Sequence, residues 1–381
     1  MSKNEEIDIF SSNIYNMGMT KRLLTSQLVP GLITAEDVFN LNNRLLIPKG
    51  TVLTDAIIST FSIHGVFNVL VRAPKKADAK VTVHEHENVP ATHYERVRTS
   101  AEFKQFKKDY EAGIQTFQDQ VNLVVSKSIP LDVKGLYQST VALLAETPLG
   151  TNMFDLLQNM RDYDDSTFAH SINVALICRV MAKWMHLSES EAELAATCGL
   201  LHDIGKLSVP QELIHKPGKL TPSEFQTIKK HTVLGYQTLL HQSVDHDICE
   251  AALMHHERCD GTGYPLKIKG PEINFYAKMI AVADVYDAMT AARVYRGPLC
   301  PFKVIDVFSQ EGLQKYDPDI IMTFLERVVN TYVSNACLLS NGQKGTIVFI
   351  NKHDLAHPIV QIGNACVDLS RAKNIEVVCL I

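Results

Sequence analysis

A long stretch of helical periodicity constrains the fold of this chain more than any other feature. From about Ala101 to Val333, apolar residues recur at the three- and four-residue spacings of amphipathic α-helices, with only short breaks. One helix start is clearly marked, because Thr221, Pro222 and Glu224 form an N-cap, a first-turn proline and a capping box. The helix that begins there is predicted to contain His231 near its middle. The chain is therefore expected to be built on a helical core.

Two segments with β signals flank the helices. Over residues 23–72, short apolar runs alternate with turns, which predicts a small α/β module with a hairpin turn at Asn42-Asn43. Residues 73–100 have the composition of a linker, and the sequence HEHE within it, His84–Glu87, is interpreted as a solvated loop rather than a metal site. After the helices, short apolar runs and an Asn341-Gly342 turn predict a β-rich tail.

Length and composition limit the classes of function. A chain of 381 residues with 46% apolar residues should form two or three domains with sizeable cores. The net charge of −5, with both signs interspersed, offers no basic surface for a nucleic-acid duplex or an anionic membrane. The sequence shows neither a signal-peptide pattern nor an apolar run of about 18 residues, so we expect a cytoplasmic protein. The predicted segments are a module with its linker (1–100), connecting helices (101–160), a helical domain (161–335) and the tail (336–381).

Histidines and aspartates occupy inward-facing positions of the predicted helices. His170 shares a helix face with Val174 and Ile177, and Asp284 is the only charge in the apolar run MIAVADV. A single residue of this kind is more commonly a hydrogen-bonded core residue. Several together would be mutually unfavourable unless positive metal charge joined them. The other members of this set are His202, Asp203, His231, His255 and His256. Eight cysteines occur without a CxxC pair, so neither disulfides nor a cysteine metal site is expected.

Two motifs carry a resemblance to a known family. HDIGK at His202–Lys206 and HHERCDGTGYP at His255–Pro265 resemble the HD phosphohydrolase superfamily and its HD-GYP branch, and the match covers roughly residues 162–332. The resemblance implies a mainly α fold, with an all-helical HD-type core flanked by the α/β module and the β-rich tail. It also implies a bacterial second-messenger enzyme, a phosphodiesterase that linearises cyclic di-GMP to pGpG, in some members onward to GMP.

The resemblance also implies a two-metal site. It assigns two overlapping sets of ligands. The ligands of one ion are His170, His202, Asp203 and Asp284, and those of the other are Asp203, His231, His255 and His256. With Asp203 shared, each ion keeps open positions for a bridging hydroxide and a phosphate oxygen, as two-metal hydrolysis needs. Iron or manganese is expected, and zinc, cobalt or nickel also suits these ligands. Some members bind a third ion through a glutamate at the position of Ser166, so we predict two ions here unless Asp164 or Asp165 reaches inward.

Positive and aromatic side chains are expected to hold the substrate. Lys206 follows the HD pair by one helical turn, which directs its ammonium to the same pocket, and it is predicted with Asp203 to be catalytic. The resemblance assigns Arg293 and Arg296 to substrate binding, where a guanidinium can grip a phosphate with two bonds. Tyr264 is predicted to contact phosphate or to stack beside a base, and the alternative is a tyrosine that only packs its loop.

Some alternatives remain open at this level. Asp287 is predicted to orient a ligand histidine, while Glu257, Arg258 and Asp260 either do the same or shape the loop. The rival to the enzyme is a degenerate HD-GYP protein that binds nucleotide or a diguanylate cyclase domain without hydrolysis. A phosphohydrolase of mononucleotides is a third hypothesis. The complete ligand set favours the enzyme. The amphipathic helices over residues 101–146 further predict a homodimer.

Overall fold

The structure is a computed structural model, and its described residues form two compact units, one within residues 1–90 and one from residue 93 onward. The described residues are 20–25, 28–29, 31–39, 45–54, 57–58, 61, 66, 68–72, 93–127, 129–145, 153–160, 166–216, 220–290, 300–372 and 375–381. Several predicted features lie outside them: the Asn42-Asn43 turn, the HEHE sequence, Asp164, Asp165, Arg293 and Arg296.

The first unit is a small β structure with its own core. Strands β1 (Thr20–Leu24) and β2 (Ile33–Thr34) both pair antiparallel with β5 (Asn68–Arg72), which is the middle strand of a three-stranded sheet. The predicted pairing of β3 (Val38–Phe39) with β4 (Leu45–Ile47) is confirmed. Alternate residues of β5 are buried, as expected for a strand with one face on a core. Strand β1 was not predicted, because Lys21 and Arg22 interrupt its apolar pattern.

The second unit is mainly helical, as predicted. Its helices are α1 (His93–Thr99), α2 (Ala101–Lys127), α3 (Val133–Ala145), α4 (Met153–Met160), α5 (Thr167–Trp184), α6 (Glu189–Leu201), α7 (Gln211–Ile214), α8 (Pro222–Lys229), α9 (His231–Leu240), α10 (His246–Met254), α11 (Phe275–Thr290), α12 (Pro301–Glu311) and α13 (Pro318–Asn330). Among the described helices, none combines the length and apolarity required to span a bilayer.

One core joins the helices to the tail. Buried side chains run continuously from Phe103 in α2, through α5 and α11, to Val377 near the end of the chain. The segments predicted as connecting helices and as a tail therefore pack on the same core as the histidine-bearing helices. The four-segment division stays a prediction.

The tail forms a five-stranded antiparallel sheet in the order β10-β6-β7-β8-β9. The strands are β6 (Ala336–Leu339), β7 (Lys344–Asn351), β8 (Asp354–Ile362), β9 (Ala365–Asp368) and β10 (Val377–Leu380). The predicted turn at Asn341-Gly342 connects β6 with β7, and Gly342 has a φ of +84°. Strand β9 was not predicted, since its side chains are exposed or half-buried and lack an apolar alternation. All eight cysteines are free.

The helix predicted to hold His231 near its middle ends just before it, so that prediction was wrong. Helix α8 starts with the predicted capping box but stops at Lys229, and His231 opens α9. At the break, the Lys230 N–H bonds to Thr227 with the tighter i to i−3 spacing. Nδ1 of His231 then donates to the carbonyl of Ile228 at 2.7 Å, and this side-chain bond takes the place of a helical one.

Candidate metal centre

Three histidines stand at helix ends and are oriented by the same type of hydrogen bond. His202 caps α6, His255 caps α10, and His231 follows the end of α8. In each ring Nδ1 donates to the carbonyl of the residue three positions earlier. These carbonyls belong to Gly199 (2.7 Å), Ile228 (2.7 Å) and Ala252 (2.9 Å). A carbonyl can only accept, so Nδ1 carries the proton and Nε2 presents its lone pair to the interior.

Asp203 lies at the centre of the histidine rings. Its Oδ1 is 3.3 Å from Nε2 of His231 and 3.7 Å from Nε2 of His255. Its Oδ2 is 3.2 Å from Nε2 of His202 and 3.7 Å from Nε2 of His170. The side chain is almost fully buried, Oδ2 pairs with the ammonium of Lys206, and Oδ1 accepts no hydrogen bond within the described residues. The carboxylate therefore faces four ring nitrogens, two on each oxygen.

Helix α11 supplies two further carboxylates, Asp284 and Asp287, one turn apart. Oδ1 of Asp284 is 3.2 Å from Nε2 of His170, and Oδ2 of Asp284 is 3.7 Å from Nδ1 of His256. Asp287 contacts Nδ1 of His170 on the other edge of the ring, at 2.8 Å. The predicted contact of Asp287 with a candidate ligand histidine is thus confirmed.

The donor atoms fit divalent metal ions. They form overlapping groups whose ligand atoms lie within 4.8 Å of one another: His170, His202 and Asp284; His231, His255 and His256; and His202, Asp203 and His255. Nε2 of His231 and Nε2 of His255 are 3.3 Å apart. Because both rings donate from Nδ1, two lone pairs face each other there, which is unfavourable unless a cation attracts both. The buried Nε2 of His202 has no hydrogen-bond partner among the described residues either. Ligation itself stays a prediction.

Burial keeps three of the histidines neutral. It lowers the pKa of His231, although the Asp203 carboxylate opposes this shift. Burial and then the neighbouring His256 hold the pKa of His255 well below its usual range. Burial also lowers the pKa of His256 to about 3. Neutral imidazole is the form that binds metal, so these residues need not lose a proton to act as ligands.

At His170 and Asp203, interactions with neighbouring groups outweigh burial in setting the pKa. Burial disfavours protonation of His170, but its bonds to Asp284 and Asp287 outweigh this effect and raise its pKa to about 10. Burial likewise disfavours ionised Asp203, but its neighbours, first of all the positive charge of Lys206, outweigh burial and hold the pKa of Asp203 well below the usual range. The Asp284 and Asp287 carboxylates therefore favour a positive charge at His170, which a proton or a neighbouring metal ion can supply.

Two glycines, Gly205 and Gly235, allow the segment His202–Lys206 to approach α9 closely. Asp203 begins the 3₁₀ helix Ile204–Ser208. A Cβ atom at Gly205 would overlap the backbone carbonyl of His231 and the backbone nitrogen of Gly235. This packing holds Asp203 and His231 in the same site. The sequence identifies Gly205 only as part of the HDIGK motif, because its contact is with a distant segment.

The loop that contains Gly263, Tyr264 and Pro265, which we call the GYP loop, is held in place by hydrogen bonds to Glu257. Its side chain is 2% exposed, and Oε1 accepts hydrogen bonds from the backbone N–H groups of Leu266 (2.6 Å) and Lys267 (3.0 Å). A Cβ atom at Gly263 would overlap the backbone of Glu257, so the loop folds tightly back on the double histidine. The Tyr264-Pro265 peptide bond is cis. Of the two alternatives for Glu257, the structure favours shaping the loop over orienting a ligand.

The neighbours of Glu257 shape the loop as well. The guanidinium of Arg258 lies 5.3 Å from the ring centroid of Tyr316, and Oδ1 of Asp260 accepts from the backbone of Thr262 at 2.9 Å.

Ser166 is the N-cap of α5 and accepts from the backbone of Ala169 at 3.2 Å. Capping thus gives Ser166 a structural role, and the number of ions stays a prediction.

The structure brings the seven predicted metal residues and Lys206 together. The ammonium of Lys206 pairs with Oδ2 of Asp203. Tyr264 stands at the edge of the group, with its ring 4.7 Å from that of His256. The predicted substrate contacts Arg293 and Arg296 lie outside the described residues.

Comparison with known proteins identifies relatives of this part of the chain. A family model described as "HD domain" matches residues 154–320, which include all seven predicted metal residues. The 3′3′-cGAMP-specific phosphodiesterase 1 of Vibrio cholerae is 41% identical over 145 residues, 38% of this chain and 34% of that protein. The cyclic di-GMP phosphodiesterase PA4108 of Pseudomonas aeruginosa is 33% identical over 207 residues, 54% of this chain and 50% of that protein. The matches thus span half or less of each relative.

A more distant likeness comes from a solved structure, Bd1817, a HDG"Y"P protein from Bdellovibrio bacteriovorus. It is 12% identical in sequence, with a TM-score of 0.45, and the match covers 81% of this chain and 99% of that chain.

Proposed function

Because this chain belongs to the HD-GYP branch of the HD domain family, we propose that it is a metal-dependent phosphodiesterase that opens cyclic di-GMP to pGpG. The observation that carries the proposal is the buried Asp203 carboxylate, which faces four histidine nitrogens and whose Oδ1 accepts no hydrogen bond from the described residues. Two related proteins are named for hydrolysis of cyclic di-GMP and of 3′3′-cGAMP, so both cyclic dinucleotides belong to the substrate class to be tested.

The reaction adds one water across one phosphodiester bond. The water oxygen bonds to phosphorus, the bond to the 3′ oxygen breaks, and that oxygen takes a proton. When bound, divalent ions lower the pKa of the attacking water and neutralise the charge that grows on the phosphate oxygens. In our proposal His170, His202, Asp203 and Asp284 would hold one ion, and Asp203, His231, His255 and His256 would hold the other. Iron or manganese remains the expected metal.

The protein's own groups hold the phosphate and the loop. The ammonium of Lys206 has three N–H donors, and pairing with Asp203 fixes its position beside the predicted ligands. We assign its other donors to the phosphate oxygens of the substrate. Glu257 keeps Tyr264 next to His256, where the tyrosine borders the reacting phosphate. Arg293 and Arg296 keep their proposed role in substrate binding.

A product assay tests this proposal. Protein loaded with metal in the absence of oxygen is incubated with cyclic di-GMP or 3′3′-cGAMP, and the products are separated by chromatography. We expect pGpG from cyclic di-GMP and loss of turnover in a His255→Ala variant. The matched control is His246→Ala on the same helix α10, whose side chain is 69% exposed and pairs with Glu250, and it should keep wild-type activity. No turnover by fully metallated wild-type protein would contradict the proposal and favour the non-hydrolysing alternative.

A further inference from the structure

Three side chains outside the predicted metal set form a wall beside it, which we call the aromatic wall: Phe225, Lys229 and Tyr264. The Tyr264 ring lies 4.7 Å from the His256 ring, and the Phe225 ring lies 6.4 Å from the Tyr264 ring at an angle of 74°. Nζ of Lys229 is 4.7 Å from the ring centroid of Phe225 and 4.6 Å from that of Tyr264. The wall thus extends outward from the candidate metal centre.

Phe225 lies at the surface and is not part of the buried core. It is 44% exposed, although a phenylalanine is one of the largest apolar side chains a surface can carry. Within the part of the chain that the structure describes, no carboxylate lies within 4.0 Å of Nζ of Lys229. An aromatic surface therefore lies together with a cation that has no carboxylate partner among the described residues, next to a site that we propose binds a nucleotide.

The helix that presents Phe225 and Lys229 is fixed at both ends. At its start, Glu224 closes the capping box of α8 and also pairs with Lys216 at 2.7 Å. At its end, the carbonyl of Ile228 accepts the hydrogen bond from Nδ1 of His231. Because Phe225 and Lys229 are four residues apart, they share one face of this helix. The wall is thereby tied to the position of a candidate metal ligand.

We propose that the aromatic wall is a subsite that stacks a purine base of the substrate against Phe225. Aromatic rings bind bases through their faces, and the Lys229 ammonium would place positive charge near the phosphate of the same nucleotide. The proposal rests on the proposed function, since it assumes that a nucleotide phosphate occupies the neighbouring metal centre. Phe225 and Lys229 would add a base-binding element that lies outside the HD and GYP motifs.

A tryptophan reporter tests stacking without requiring turnover. The chain has a single tryptophan, Trp184, which is partly buried and stacks on Phe154, with ring centroids 5.7 Å apart. In a Phe225→Trp variant, we expect saturable quenching of the new indole by cyclic di-GMP and by guanosine 5′-monophosphate. Ribose 5-phosphate, which has the phosphate but no base, should not quench. The control is Phe349→Trp on β7, where the native side chain is 56% exposed. Absence of quenching, or equal quenching in both variants, would overturn the subsite.

Kinetics provide a second and independent readout. Leucine at position 225 keeps an apolar side chain but cannot stack, so Phe225→Leu should raise KM for cyclic di-GMP roughly 5- to 150-fold with little change in kcat. Phe225→Trp should restore a KM near that of the wild type. Quenching without wild-type turnover would leave the subsite standing and reject hydrolysis. Turnover with an unchanged KM in Phe225→Leu would reject the subsite alone.

Discussion

Oδ2 of Asp287 lies 2.8 Å from Nδ1 of His170, on the opposite edge of the ring from Asp284. One helix, α11, carries both carboxylates, so a single element fixes both edges of this imidazole. The contact with Asp287 keeps the proton on Nδ1 and directs Nε2 toward Asp284 and Asp203. Carboxylates that orient a ligand histidine in this way strengthen metal binding, although they do not contact the ion.

Removal of this carboxylate should weaken metal binding. We expect Asp287→Ala to lower the affinity for Mn²⁺ by about 10- to 100-fold, because His170 loses its fixed orientation. Asp287→Asn keeps an accepting oxygen and should lose less. The matched control is Asp119→Asn, an exposed acid on α2 that bonds only to Gln115 among the described residues. Titration calorimetry with metal-free protein measures the effect, and an unchanged affinity in Asp287→Ala would refute the role of this contact.

Alanine at Gly205 should damage both stability and metal loading. Its Cβ would overlap the backbone of His231 and Gly235, neither of which can move without displacing a candidate ligand. Overpacking of this kind costs about 1–3 kcal/mol, and we expect a lower Tm together with a reduced metal content. The control is Gly113→Ala in α2, where the nearest atom to the new Cβ is Cδ1 of Leu143 at 3.9 Å. That variant should be neutral or slightly stabilising, because alanine favours a helix interior.

Substitutions of Glu257 should raise KM, and alanine should raise it more than glutamine. Glu257→Ala leaves the N–H groups of Leu266 and Lys267 without their acceptor, and bonds to a charged acceptor contribute about 1.5–3 kcal/mol each. We expect a higher KM because Tyr264 shifts, with metal content retained. Glu257→Gln preserves an accepting oxygen and should recover much of the loss. Equal KM values for wild type and Glu257→Ala would show that Glu257 does not position the GYP loop for substrate.

Helical periodicity was sufficient to predict the main architecture and which histidines face inward. The face that His170 shares with Val174 and Ile177 is buried. This feature depends on local spacing along one helix, which the sequence displays directly. The capping box at the start of α8 was predictable for the same reason. The position of Asp284 beside His170, on a different helix, was expected only from the family resemblance.

Features that depend on contacts between distant segments were not predictable. At the break before His231, the ring of His231 bonds to Ile228 and Gly205 approaches α9 closely. Neither leaves a signal in the local apolar pattern. The shared Nδ1-to-carbonyl bonds at helix ends could have been suspected, because His202 and His255 each close an apolar helical run.

Metal removal should lower the stability of the folded protein. Nε2 of His231 and Nε2 of His255 face each other at 3.3 Å, and their lone pairs repel unless a cation lies between them. A ligand that binds only the folded state stabilises it by about 2.7 kcal/mol at 100 times its Kd, so Tm should rise with Mn²⁺ and fall with a chelator. His231→Ala should abolish most of this shift, whereas His246→Ala should keep it, since its ring is exposed on α10. Identical melting curves with Mn²⁺ and with chelator would show that these histidines do not bind a metal ion.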